Sequence, residues 1–513
     1  MTISSVKRLA PSPEAALATD HLISDIGQRS RRGGTILLVS QGVRVAAQLL
    51  TMVVLVRLLS PSTFGLLAMV GSLGVMLDLV KEFGLSAATI QRQDISHAQV
   101  SALFWINAGV GVLLAAGLFA GAPALAAFYA QPDLEAVARC LALGFLMSGL
   151  TVQHWALLRR QMRFAAIAGL ETAADLAAFA VAIGLALGGA GYWALVAQRL
   201  VMPGFLLVGS WAICRWRPAR PAGAPDLPAL LRYGGSITAS GLMAALARSV
   251  DQVLIGWLWG PAILGLYERT TRLVLLPVNN INAPVYAAGM PALSRLIDQP
   301  ERYRSMFRQI MQKLALLTMP VFALAAMLAD WVVYILFGPA WLEAAPLVAL
   351  FSVTAAYLPV LLTAGLLFMT QGRTGEMVRA TLIDGTLTIG AIVAGLPWGV
   401  VGVAASIAAV GVVIRLPLGF WLATRRGPVS LGNVLGAIAP AISAGAAGAA
   451  AAFLLHRFAV PTSQPTPAAI VTVGMTAGGV MLLVALAWSD VRRDIAQIAR
   501  FVSTRFIARS APL

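Results

Sequence analysis

The stretch RVAAQLLTMVVLVRLLSPSTFGLLAMVGSLGVMLDLV, Arg44–Val80, decides the fold. It is an apolar run, a Ser60-Pro61 turn and a second apolar run, each long enough to cross a roughly 30 Å hydrocarbon layer as a helix. Working outward, such runs recur almost without interruption. They lie at 34–58, 63–90, 98–120, 133–157, 164–188, 191–215, 229–258, 262–291, 309–336, 344–371, 375–397, 399–423, 431–456 and 467–488. The expected fold is therefore an all-α integral membrane protein of about fourteen transmembrane helices.

Composition agrees. Over 513 residues, 59% are hydrophobic, only 11% are charged, and the mean hydropathy is +0.83. A soluble domain carries about 25% charged residues to wet its surface. The charge that remains is lopsided, 37 Lys+Arg against 21 Asp+Glu. These arginines punctuate apolar runs instead of forming a wetted basic face, which argues against a nucleic-acid partner. The first thirty residues lack an apolar core, so no cleaved signal peptide is expected. Cys140 and Cys214 lie in apolar runs and read as inert thiols. The four histidines have no metal-ligand spacing, and neither a metal nor a cofactor is expected.

Basic residues set the expected orientation. Lys7, Arg8, Arg29, Arg31 and Arg32 precede the first run. Alternate connections then carry Lys81 and Arg92; Arg159, Arg160 and Arg163; Arg215, Arg217, Arg220 and Arg232; Arg295, Arg302, Arg304, Arg308 and Lys313; Arg373 and Arg379; and Arg425 and Arg426, and the tail adds Arg492, Arg493, Arg500, Arg505 and Arg509. The opposite connections hold only Arg57 and Arg457. By the positive-inside rule both termini are cytoplasmic.

The chain also repeats itself. At an offset of 200, VVLVRLLSPSTFGL (Val53–Leu66) aligns with VLIGWLWGPAILGL (Val253–Leu266), keeping Val, Leu, Pro, Gly and Leu in register. Repeats that start on the same side imply two parallel lobes related by an axis along the membrane normal. The expected organisation is a tail at 1–33, an N-lobe at 34–216, a linker at 217–228 and a C-lobe at 229–423. Two further helices follow at 431–488, then a basic tail at 489–513.

Charges inside the runs mark the candidate site, because lipid tolerates them only in a cavity or with partners. In the second hairpin, Arg248 and Arg272 are each twelve residues from Gly260, roughly 18 Å down their helices and near the bilayer midplane. Asp251 and Glu268 are nine and eight residues from the same turn, and can pair with them at i,i+3 and i,i+4. In the first hairpin, Arg44 and Asp78 lie roughly 24–27 Å below Ser60. Guanidinium groups bind phosphate bidentately and stay ionised in poorly hydrated surroundings. Arg248, Arg272, Arg44 and Arg269 are thus candidate ligands for a phosphate-bearing anion, with Asp251, Glu268 and Asp78 as counter-ions or coupling groups. The alternative is that they are interhelical salt bridges that fix register. Pro277, Pro284 and Pro291 recur on one face and are candidate hinge points or static kinks.

Six stretches carry a family resemblance: RLLSPSTFGLLAM (Arg57–Met69), EFGLSAATIQR (Glu82–Arg92), GYWALVAQ (Gly191–Gln198), VDQVLIG (Val250–Gly256), LGLYERTTRLVLLPV (Leu264–Val278) and MPALSRL (Met290–Leu296). They resemble the polysaccharide-transporter branch of the MOP exporters, the multidrug, oligosaccharidyl-lipid and polysaccharide exporters, and within it flippases of the colanic-acid and succinoglycan type in lipopolysaccharide and exopolysaccharide biosynthesis. Trp257 and Trp259 depart from the more polar residues this likeness implies at the second hairpin. The resemblance implies a monomeric transporter of the bacterial inner membrane that moves an undecaprenyl-diphosphate-linked oligosaccharide by alternating access. It would work among membrane lipids and beside polymerase or export machinery. A drug/cation antiporter of the same fold is the first competitor, although its cavity should be acidic. An integral-membrane polymerase or ligase is the second, and needs a large outer loop that this chain lacks.

Overall fold

The computed structural model describes residues 26–82, 86, 89–90, 95–220, 227–459 and 465–493, and their side chains except 26–39, 73, 75–82, 227–248 and 459. Much of the expected N-terminal tail, linker and basic tail lies outside the described residues. Among the described residues every regular element is helical. The helices are α1 (Ile26–Leu58), α2 (Pro61–Glu82), α3 (His97–Tyr129), α4 (Asp133–Arg160), α5 (Phe164–Leu187), α6 (Tyr192–Cys214) and α7 (Leu227–Ser294). There follow α8 (Pro300–Met327), α9 (Ala329–Leu336), α10 (Ala345–Leu362), α11 (Ala364–Thr370) and α12 (Thr374–Gly395). Last come α13 (Gly399–Val410), α14 (Leu416–Thr424), α15 (Leu431–Leu454) and α16 (Pro467–Ala487).

Among the described residues, eleven stretches are long and apolar enough to cross a membrane. Two of them, Ser249–Ser294 with 46 residues and Thr374–Thr424 with 51, far exceed the roughly 20 residues of one crossing. Each is broken by a glycine in a backbone region that side chains avoid, Gly260 at φ 77° and Gly399 at φ 73°. The chain is a multi-pass membrane protein. Its large exposed side chains fit that setting: Leu113 (72%), Val413 (71%) and Met475 (74%) would each forfeit about 1.5–3 kcal/mol in water but not in lipid.

Among the described helices, two begin with reciprocal side-chain caps. Ser96 and Gln99 form a reciprocal capping box at the start of α3, and Ser430 and Asn433 do the same for α15.

The chain divides into two compact units, Met1–Gly265 and Leu266–Leu513. In the first, α1 packs on α5, α3 on α4, and α6 on both α4 and α5. An aromatic cluster of Phe104, Trp211 and Trp216 surrounds the fully buried His154, whose ring stacks on Trp211 at 4.4 Å. In the second unit, α8 is the central helix, covered by α10 and α15, and α16 packs on α15. Gly445 of α15 lies against Pro320 and Ala323 of α8, and Asp490 takes an ion pair from Arg308 at 2.5 Å. The last two helices are thus fastened to α8 at several levels.

Candidate functional site

The repeated turn is where the internal likeness becomes physical. A Cβ added to Gly65 would lie 1.7 Å from the Pro261 carbonyl oxygen, and one added to Gly265 would lie 1.8 Å from that of Pro61. The Pro and Gly that the repeat keeps in register are therefore the residues through which its two copies touch, each glycine seated on the other copy's proline. Only a missing side chain permits such an approach. Gly256 also packs against Tyr129 and Met69, and Trp257 stacks on Phe128 at 6.0 Å beside this seam.

Arg44 of α1 is held by two carboxylates of α5. Its Nε donates to Asp175 Oδ2 at 2.6 Å, and its Nη1 donates to Glu171. Glu171 and Asp175 are four residues apart, on one helix face, so both reach the same guanidinium. Depth counting had singled out Asp78 as the acidic group near Arg44. The observed partners come from a helix more than 120 residues later, and the Asp78 side chain, with its expected role near Arg44, lies outside the described residues. Spacing along one hairpin carries no information about a third helix.

Beyond Gly260, α7 brings three charges together. Glu268 lies between Arg269, with Nε 2.5 Å from its Oε2, and Arg272, with Nη1 3.8 Å from its Oε1. The i,i+4 contact expected of Glu268 and Arg272 is present, and Arg272 is the more open guanidinium at 36% against 13% for Arg269. Asp251 Oδ1 accepts from the Gln252 amide at 2.8 Å. The Arg248 side chain lies outside the described residues, so its expected pairing with Asp251 does too. At Pro277 and Pro284 the backbone stays helical, and the non-helical residue inside α7 is Gly260.

Two arrangements went unpredicted. Asp384 of α12 and Arg415 form a bidentate pair at 2.7 and 2.9 Å, with Arg415 closing a π-turn, Gly411–Arg415, between α13 and α14. Tyr357 crowds that turn so closely that a Cβ on Gly411 would fall 1.8 Å from its hydroxyl oxygen. Both charges are visible in the sequence as intramembrane outliers, but 31 residues separate them. The second is a cluster about Glu376, which takes ion pairs from Arg373, Arg425 and Arg426 at 2.8 to 3.1 Å.

Comparison with known proteins agrees with this architecture. Residues 54–346 match the polysaccharide biosynthesis protein family. The chain is 27% identical over 302 residues to the teichuronic acid biosynthesis protein TuaB of Bacillus subtilis, covering 58% of this chain and 62% of TuaB, less than two thirds of that relative. It is 24% identical to the lipopolysaccharide biosynthesis protein WzxC of Escherichia coli, covering 68% and 71%, and 26% identical to the succinoglycan biosynthesis transport protein ExoT of Rhizobium meliloti, covering 67% and 70%. The fold matches the lipid II flippase MurJ in an inward closed conformation with a TM-score of 0.70, at 11% identity, over 90% of this chain and 100% of MurJ. An inward-facing MATE transporter follows with a TM-score of 0.58, at 13% identity, over 74% and 93%. With over half its length matched to one family model, the chain belongs to the polysaccharide biosynthesis protein family.

Proposed function

We propose that this protein is a flippase that moves an undecaprenyl-diphosphate-linked oligosaccharide across the bacterial inner membrane by alternating access. The observation that carries the reading is the set of guanidiniums kept inside apolar helices beside carboxylates: Arg44 with Glu171 and Asp175, and Arg269 and Arg272 around Glu268. Cations among apolar helices need partners, and an incoming diphosphate can take over such a cation, while a cationic drug would meet it as repulsion. The relatives' names, a lipopolysaccharide biosynthesis protein and a succinoglycan biosynthesis transport protein, point the same way.

The finer architecture belongs to the same proposal. Fourteen crossings follow if Ser249–Ser294 and Thr374–Thr424 each cross twice and α2 crosses once. They make an N-lobe at 34–216, a C-lobe at 229–423 and an added pair at 431–488, with both termini cytoplasmic. Arg272 and Arg248 are assigned to the diphosphate, Arg44 and Arg269 to supporting charge, and Asp251, Glu268 and Asp78 to counter-ion or coupling roles. Pro277 and Pro284 are assigned to bending of α7, since each removes a backbone hydrogen bond. The deciding experiment deletes the gene and asks which lipid-linked glycan accumulates in the inner leaflet. No accumulation of any such glycan, together with unaltered surface polysaccharide, would overturn the reading.

A further inference from the structure

At the end of the second unit that carries its basic connections, three turns are knotted into one polar network. The turn between α11 and α12 holds Gln371 and Arg373, the turn between α14 and α15 holds Arg425, Arg426 and Gly427, and the first turns of α8 supply Tyr303 and Arg304. Arg373 is consumed by structure. It donates to the carbonyls of Leu422, Ala423 and Arg426 at 2.7 to 3.2 Å, the orphan acceptors where α14 ends. Gln371 donates to Tyr303 Oη at 3.4 Å, and Arg304 Nε donates to the Pro428 carbonyl at 2.9 Å, which fastens the same turn from the α8 side.

Arg425 and Arg426 are built differently. They are consecutive, so their side chains would ordinarily diverge and repel, yet both converge on Glu376 at 3.1 Å. One carboxylate thus gathers three guanidiniums and leaves the group two charges positive. Arg426 stays 72% exposed and Arg425 37%, so the uncompensated charge faces outward at the end of the helices. Gly427, at φ 110°, lets the chain reverse there against the Gln371 amide. Arg302 at the same end shows the contrast: it donates to the neutral amide of Gln299, the cap residue of its own helix.

We infer that Arg425 and Arg426, gathered by Glu376, form a binding site for the phosphate headgroup of an anionic membrane lipid. Phosphate oxygens match the guanidinium fork in geometry and charge, and the leaflet brings such headgroups to this depth. Two lipids carry this chemistry: a polyprenyl diphosphate waiting at the mouth of the transporter, or an anionic glycerophospholipid held as a fixed neighbour. The inference rests on the chain spanning a membrane with its basic connections at the lipid–water boundary. It does not rest on which cargo is moved, so either reading can fail alone.

The test uses the purified full-length chain, with undecaprenyl diphosphate, cardiolipin and phosphatidylcholine as probes and retained lipid counted by native mass spectrometry. At about 1 kcal/mol per arginine, the R425Q/R426Q double variant should lose about 30-fold in affinity for the anionic lipid. The exposed R426Q alone should lose about 5-fold, which covers the case in which the double variant does not accumulate. R302Q should bind as the parent does, and phosphatidylcholine retention should not change in any variant. A tenfold preference for undecaprenyl diphosphate over cardiolipin would identify a waiting cargo, and the reverse order a resident phospholipid. Undiminished anionic lipid binding by R426Q, or an equal loss in R302Q, would overturn the site.

Discussion

Arg272 is the most informative single residue of the candidate site. It is 36% exposed on an apolar helix, and its Nη1 lies 3.8 Å from Glu268, a looser contact than the one Arg269 makes with the same carboxylate. Replacing Arg272 or Arg248 by Ala should lower glycan export at least 10-fold with near-normal protein abundance in the membrane. Lys should recover part of it, because it keeps the charge and loses the planar fork. Normal export by both Ala variants would remove them from the site, and their disappearance from the membrane would instead show that they hold the helices in register. Arg44 behaves otherwise, because two carboxylates already hold it. Arg44→Ala strands both acids in a poorly hydrated place, whereas Asp175→Asn leaves one ion pair standing. The first should destabilise the protein by about 1–3 kcal/mol and the second by less, read as the shift in thermal unfolding in detergent. Equal shifts would mean that the three charges do not act as one group.

At the scale of elements, the contact between the two copies of the repeated turn makes a sharp prediction. A side chain at Gly65 or Gly265 must push one backbone about 1.5–2 Å from the other before ordinary contact is restored. Gly65→Val and Gly265→Val should therefore have the same effect, although they lie 200 residues apart. Each should hold the seam open, abolish export, and increase labelling of a cysteine placed at Ser62 by a membrane-impermeant maleimide, in a background lacking Cys140 and Cys214. Gly71, with nothing within 4 Å of an added Cβ, is the control at which Ala should be silent. Unchanged labelling in both valine variants would show that the seam does not open during the cycle. The π-turn at Gly411–Arg415 is the other element of interest, since it turns Arg415 onto Asp384, a pairing that an unbroken helix would rotate away from.

For the whole molecule, the alternation of basic connections predicts where each loop lies. Reporter fusions after Arg217, Arg304 and Arg426 should read cytoplasmic, and fusions near Gly188 and Pro461 periplasmic. A periplasmic signal at Arg304 would break the fourteen-crossing arrangement. Acidic groups beside the arginines of both units also predict that export depends on an ion gradient. Transport that persists unchanged after proton and sodium gradients are both collapsed would reduce Asp251 and Glu268 to static counter-ions.

The sequence by itself determined the elements. A membrane helix must satisfy its own backbone and meet lipid with apolar side chains, so hydrophobic runs, turn residues and basic connections are all written locally and can be read there. Thus 133–157 and 164–188 fall within a residue or a few of α4 and α5, and the i,i+4 contact of Glu268 with Arg272 was legible from spacing alone. The tertiary structure alone decided which distant residues meet. Arg44 finds Glu171 and Asp175, Asp384 finds Arg415, Glu376 gathers Arg425 and Arg426, and Gly65 seats on Pro261. Each of these pairings depends on how helices rotate and pack against one another. Local hydropathy cannot encode it, because lipid solvates every apolar face alike and leaves close packing and a few polar contacts to choose the partner.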